Sequence, residues 1–145
     1  MKRVYTSFNL KYFLYYWLPV LVWLGVIFWF SSQPSVHTSE IYWQDFTVKK
    51  SAHMTEYGIL GILFYRALNK RQMDKKQALI ATVLFALFYG VTDEFHQRFT
   101  FGREPAIRDV VFDTIGAGLV IYLIWKYLPK APKKLKLLAK KLQLL

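Results

Sequence analysis

The chain has 145 residues, of which 20 are Lys or Arg and 9 are Asp or Glu, for a formal net charge of +11. It is also 54% hydrophobic and 19% aromatic, with a mean hydropathy of +0.20. The length allows one domain with a short tail, and the lack of cysteine excludes disulfides, thiol catalysis and zinc ribbons. A basic charge often indicates nucleic-acid binding, but this chain has more apolar residues than one small soluble core could bury. The composition therefore predicts a membrane protein with no nucleic-acid partner.

Four apolar stretches predict an all-α protein with four transmembrane helices, at about residues 12–30, 51–67, 77–95 and 106–127. The first stretch is uncharged from Tyr12 to Phe30, and at ~1.5 Å per residue it matches the thickness of a hydrocarbon core. Pro19 is expected to kink this helix. A signal peptide is the alternative, but the apolar run is long for one and no A-x-A-like cleavage site follows. The sequence thus predicts a four-helix bundle over residues 1–128.

The basic residues predict the orientation of these spans. With the N-terminus inside, fifteen of the twenty Lys and Arg lie in the cytoplasm. The remaining five lie outside: Lys49, Lys50, Arg98, Arg103 and Arg108. This bias predicts a multi-pass protein of the plasma membrane with both termini in the cytoplasm. Eight of the nine acids fall outside or in outer half-spans, so about +14 lies inside and about −3 outside.

Residues 129–145 form a separate basic, amphipathic tail. On a helix, one face would be apolar and lysines would cover the rest, the apolar residues being Leu135, Leu138, Ala139, Leu142 and Leu145. Such a helix binds anionic lipid at the cytoplasmic surface. The same lysines would also serve simply to fix the topology, and the sequence leaves both interpretations open.

Ionisable residues gather at the predicted outer ends of spans two, three and four. His53 and Glu56 share a helix face, and Asp109, Asp113 and Gly116 form one stripe in which the glycine allows a close helix approach. The predicted ligand-binding residues are His53, Glu56, Tyr57, Asp93, Glu94, Gln97, Arg103, Asp109 and Asp113. The structural alternative makes Asp109 a helix N-terminal acid and pairs Asp93 with Arg98 at the rim. It does not account for Glu56 and Asp113, which lie one to two turns inside their spans, where charge is costly.

The same residues resemble a known family. The segments KKSAHMTEYGILGILFYRAL and DEFHQRFTFGREPAIRDVVFDTIGAGL are similar to the VanZ-like family of bacterial membrane proteins, and FSSQP resembles the start of its first loop. The family pattern matches His53, Tyr57, Asp93, Glu94, Gln97, Arg103, Asp109, Asp113 and Gly116, and it differs at Val120, where glycine is frequent. The founding member is associated with teicoplanin resistance. The resemblance therefore implies a role in the bacterial cell envelope, without implying a reaction.

Three functions compete. In the first, Arg103, His53 and Arg108 hold an anionic lipid head group, a lipid-linked wall precursor or a glycopeptide-type antibiotic at the outer leaflet. In the second, the protein is an intramembrane enzyme that uses acid–base residues drawn from His53, Glu56, Glu94 and His96. In the third, it is a small proton-coupled transporter.

No cofactor is expected, and the sequence does not settle whether the chain forms a homo-oligomer. The spacing of two short pairs, His53 with Glu56 and Asp93 with His96, also occurs in metal sites. Matches this short are frequent by chance. Satisfied His–carboxylate pairs are the commoner explanation, so the prediction is no metal.

Overall fold

The computed structural model describes residues 10–35, 40–69 and 73–144. Four long helices form a bundle: α1 (Leu10–Ser31), α2 (Tyr42–Asn69), α3 (Lys75–Gln97) and α4 (Ile107–Tyr127). A short 3₁₀ turn, Leu128–Lys130, leads to a fifth helix, α5 (Lys133–Lys141). The described residues contain helices and turns but no strand, which confirms the all-α prediction. The lysines and arginines at 2, 3, 70 and 71, on which the predicted orientation partly depends, lie outside the described residues.

Helix α1 is irregular one turn before its proline. Residues Phe13–Trp17 form a π-helical segment, and Pro19 follows at the second position of the regular helix Leu18–Ser31. Proline has no N–H and its ring crowds the carbonyl four residues earlier, so the preceding turn widens. A π-helical turn thus precedes Pro19, and the kink itself stays a prediction.

Helix α2 begins at Tyr42, nine residues before the predicted span. The predicted span at about 51–67 lies within this longer helix, because the charged residues before it interrupt the apolar run but do not end the helix. Asp45 and Lys49 instead pair at i, i+4 within the first turns, at 2.8 Å. This extra length brings Lys49 and Lys50 onto the same helix as His53.

Helices α2 and α4 make the closest packing in the bundle, at two glycines. A Cβ added to Gly61 would lie 3.0 Å from the carbonyl oxygen of Ala117, and one added to Gly116 would lie 2.5 Å from that of Met54. Gly116 therefore allows the close approach expected of it. Val120, where the VanZ-like pattern often has glycine, packs beside Gly58 on the facing helix.

Two of the helices are long and apolar enough to cross a membrane on length and composition alone, Leu10–Ser31 and Lys75–Gln97. Both expose large apolar side chains, such as Trp29, Leu84 and Phe88, each between 58% and 69% exposed. Helices α2 and α4 do not meet the same criterion.

The tail folds back on the bundle through part of its predicted apolar face. Ala139 is buried, and Leu144 packs against the cluster around Tyr65. The Asn69 amide donates a 2.9 Å hydrogen bond to the carbonyl of Gln143. Leu135 and Leu138 stay about half exposed, and Leu145 lies outside the described residues.

Candidate functional site

Two adjoining clefts open at the end of the bundle where α1 and α3 finish and α2 and α4 begin. The larger, here the polar cleft, has a volume of about 350 Å³. The smaller, here the side cleft, has about 230 Å³ and lies between α1 and α2. Four residues line both clefts: Ser35, Lys49, His53 and Arg103. Of the other predicted residues, Gln97 and Asp109 line the polar cleft and Glu56 lines the side cleft.

His53 on α2 meets Asp113 on α4 at the floor of the clefts. The Nδ1 atom of His53 lies 3.5 Å from Oδ1 of Asp113. Asp113 is fully buried, whereas the His53 side chain is 15% exposed and reaches the clefts. The close packing of α2 on α4 at Gly116, one turn along the helix from Asp113, holds this pair together. A histidine backed by a buried carboxylate can bind an anion or transfer a proton.

Asp93 and Gln97 form a buried hydrogen-bonded group with α1. Oδ2 of Asp93 accepts from the Ser31 hydroxyl at 2.8 Å and from the Gln97 amide at 2.9 Å. All three residues are at most 4% exposed. This group fixes the end of α1 against α3. The rim pair of Asp93 with Arg98, which the structural alternative included, is not formed, because Asp93 is buried while Arg98 is exposed and lies over the ring of Phe95.

Glu94 caps the start of α4. Its Oε2 atom accepts a 2.9 Å hydrogen bond from the backbone N–H of Ala106, the residue that precedes the helix. The side chain thereby joins the end of α3 to the beginning of α4. Glu94 also lines an apolar groove of about 340 Å³. It is not among the residues that line the polar cleft or the side cleft with His53.

Arg103 is oriented by backbone carbonyls. It lies in the predicted FGREP turn, where Gly102 has a φ of +73°, a conformation that favours glycine. Its Nε donates to the carbonyl of Gln33 at 3.2 Å, and one terminal nitrogen donates to the carbonyl of Phe30 at 3.0 Å. Among the described residues no carboxylate lies within salt-bridge distance of this guanidinium. The N–H groups that these two bonds do not use remain for a ligand.

Two lysines that are not among the predicted site residues, Lys49 and Lys50, line the polar cleft. Lys49 pairs with Asp45, and Lys50 pairs with Asp109 across to α4. The signal was present in the sequence, because residues 49, 50, 53 and 56 repeat at helical spacing. This signal was missed because the apolar run of the second span begins at about residue 51, after the two lysines.

Tyr57 and His96 lie apart from the clefts. Tyr57 is fully buried beneath the site, and its ring packs 6.2 Å from that of Tyr89. His96 stacks on Phe28 at 4.2 Å and shares a 2.9 Å hydrogen bond with the Ser32 hydroxyl. His53 and His96 therefore have different partners, Asp113 for the first and Ser32 and Phe28 for the second. Across residues 10–35, 40–69 and 73–144, no group of three or more His, Asp or Glu could hold a metal ion.

Several buried polar atoms beneath the clefts have no hydrogen-bond partner among the described residues. They include both carboxylate oxygens of Asp113, Oδ1 of Asp93, Oε1 of Glu94 and the Tyr57 hydroxyl. These atoms form a buried polar layer beneath the two clefts.

The fold and this layer define an all-helical protein with apolar outer helices and a polar site at one end. A family model described as VanZ/LLP1 matches residues 15–128. The chain therefore belongs to the VanZ/LLP1 family, which is membrane-associated. No curated protein matches the sequence, and no solved structure matches it.

Proposed function

We propose that the protein is a multi-pass protein of the bacterial plasma membrane, with four spans and both termini in the cytoplasm. The antiparallel arrangement of α1 to α4 and the apolar surfaces of α1 and α3 support four crossings. The excess of Lys and Arg at the end that carries α5 supports the orientation. In this arrangement both clefts face the outside of the cell.

Labelling of introduced cysteines tests the topology, because the natural chain has none. Glu104 and Lys140 are exposed at opposite ends of the bundle. A membrane-impermeant maleimide added to intact cells should modify the Glu104→Cys variant and leave Lys140→Cys unmodified until the cells are opened. The reverse pattern, or labelling of both variants in intact cells, would show that the topology is wrong.

The function that the site supports best is binding of an anionic head group, such as a lipid phosphate or the diphosphate of a lipid-linked wall precursor. Arg103 is the observation that carries this proposal. Two backbone carbonyls hold its guanidinium at the junction of the clefts, and it has no carboxylate partner among the described residues. Arginine suits phosphate because its N–H groups can bind two oxygens at once.

The other cations add charge around Arg103 and are held by acids. Lys49 and Lys50 are kept at the cleft wall by Asp45 and Asp109, and His53 is backed by Asp113. These pairs fix the cations before a ligand arrives, which lowers the ordering cost of binding. Binding of a glycopeptide-type antibiotic, or control of its access to the surface, is a special case of the same proposal.

Replacement of Arg103 tests the binding function. We expect Arg103→Gln to weaken binding of dioctanoyl phosphatidylglycerol to the purified full chain by about tenfold or more, since a charge-assisted hydrogen bond contributes about 1.5–3 kcal/mol. Arg98→Gln removes the same charge from the same end of the bundle, outside both clefts, and is the matched control. Equal affinities for the wild type and Arg103→Gln would contradict the proposal.

The His53–Asp113 pair specifically favours a second candidate, an acid–base enzyme acting on the same head group. His53 lines both clefts beside Arg103, which would stabilise charge on a phosphoryl or acyl oxygen. This candidate requires turnover. Product formation from a phospholipid by the wild type, lost in His53→Gln while the phospholipid still binds, would distinguish an enzyme from a binding protein.

A further inference from the structure

The side cleft extends the polar cleft sideways, between α1 and α2. The two share the wall formed by Lys49, His53 and Arg103. The side cleft adds apolar surface to this wall, from Phe30, Pro34 and Ala52. The side cleft thus combines charged residues, which include Glu56, with apolar side chains that the polar cleft lacks.

The route exists because α1 changes its partner along its length. Away from the clefts, α1 is hydrogen-bonded to α2. The Tyr12 hydroxyl donates to the carbonyl of Ala67, and the Trp23 indole donates to the carbonyl of Glu56, both at 2.9 Å. The two bonds are eleven residues apart on each helix, so the helices run antiparallel in register.

Beyond Trp23, the side chains of α1 turn to α3. The Ser31 hydroxyl donates to Asp93, and Ser32 bonds to His96. The end of α1 is thereby drawn toward α3, and a gap opens between α1 and α2 above Glu56. Phe30 is seven residues beyond Trp23, so the gap is about 10 Å deep along the helix.

The mouth of this gap suits a hydrocarbon chain. Ala52 is exposed and presents only a methyl group, while Phe30 is 47% exposed beside it. In the proposed topology this mouth faces the outer leaflet. A soluble anion would need only the opening of the polar cleft, whereas a lipid must keep its chain out of water while its head group binds.

We propose that the ligand is a phosphate-bearing membrane lipid that enters sideways between α1 and α2. Its phosphate binds Arg103 and its chain leaves the protein past Ala52 and Phe30. This inference rests on the proposed function, because it uses Arg103 as the phosphate site.

The experiment fills the mouth and leaves the phosphate site intact. Ala52→Trp places an indole in the gap, and Val48→Trp places the same group one turn away on α2, at a position that is 54% exposed and lines neither cleft. The probes are dioctanoyl phosphatidylglycerol and glycerophosphoglycerol, which has the same phosphodiester head group without the chains. Binding is measured by calorimetry on the full chain in a neutral detergent.

We expect the wild type to bind the lipid at least tenfold more tightly than glycerophosphoglycerol. Ala52→Trp should weaken lipid binding at least tenfold and change the Kd of glycerophosphoglycerol by less than twofold. Val48→Trp should leave both unchanged, and Arg103→Gln should weaken both. Ala52→Leu is a second, smaller block in case the indole prevents folding.

The outcomes separate the two proposals. Unchanged lipid binding in folded Ala52→Trp and Ala52→Leu, or an equal loss for both probes, would overturn lateral entry while the phosphate site stands. Equal affinity of the wild type for the two probes would overturn it as well. Unchanged binding of both probes in Arg103→Gln would overturn the proposed function itself.

Discussion

The contact between α2 and α4 gives the most direct test of the fold, through Gly116. The Cβ of an alanine at this position would lie 2.5 Å from the carbonyl oxygen of Met54 and 2.9 Å from its Cα. Ordinary van der Waals contact begins at 3.4 Å, so the two helices would have to separate by most of an ångström. Neither atom belongs to a flexible side chain that could move aside. Gly116→Ala is therefore expected to force the backbones apart.

The magnitude follows from two opposing contributions. Overpacking of this kind costs about 1–3 kcal/mol, while alanine is favoured over glycine inside a helix by about 1 kcal/mol. Gly25→Ala isolates the packing cost, because a Cβ at Gly25 would have no atom within 4 Å and gains only the helix preference. The two variants should thus differ by about 2 kcal/mol, or about 4–8 °C in Tm for a chain of this size.

Thermal unfolding of the purified chain in detergent, followed by circular dichroism, measures this difference. Gly118→Ala is a second control on α4 itself, since its Cβ would meet Val83 at an ordinary 3.5 Å. A Tm for Gly116→Ala equal to or above that of Gly25→Ala would refute the reasoning, because α2 and α4 could then not be as close as described. The separation should also widen the His53–Asp113 pair, so lipid binding should fall with stability.

Substitutions at three further positions have expected outcomes in the same melting assay. Glu94→Ala should destabilise the chain by about 1–3 kcal/mol, because the Ala106 N–H loses its acceptor; Glu94→Gln keeps a carbonyl oxygen there and should lose less. Ser31→Ala should lose about 1–3 kcal/mol, since Asp93 is left with one donor fewer in a buried site. Tyr57→Phe should leave stability unchanged or higher, because the buried hydroxyl has no partner among the described residues; a large drop in Tm would show that the hydroxyl is hydrogen-bonded after all.

The sequence located the four long helices because each of them contains a long stretch of apolar residues. The predicted spans at 77–95 and 106–127 differ from α3 and α4 by two residues or fewer at either end. The start of α2 was missed because its first turns are charged, and a charge in the sequence does not reveal whether it is paired. The Asp45–Lys49 pair, which makes a helical start favourable there, is clear only when the helix is assumed.

The site residues were recognisable by type but not by partner. Spacing along one helix predicted that His53 and Glu56 share a face, and both residues lie on the same face of α2. It could not predict that His53 meets Asp113, sixty residues away, or that Asp93 binds Ser31 and not Arg98. Those pairings depend on how α1, α2 and α4 lie against each other, which is set by packing between helices.

The sequence by itself determined the all-α class, the apolar segments, the family and the set of ionisable residues, because these properties are carried by composition, local spacing and motif. The tertiary structure decided which charges meet, that Lys49 and Lys50 join the cleft, and that Arg103 is held by carbonyls without a carboxylate within salt-bridge distance among the described residues. It also decided where α1 leaves α2 and opens the side cleft. The physical reason is that a buried charge is stable only with a partner, and that partner usually comes from a different helix, at a distance that the order of residues does not encode.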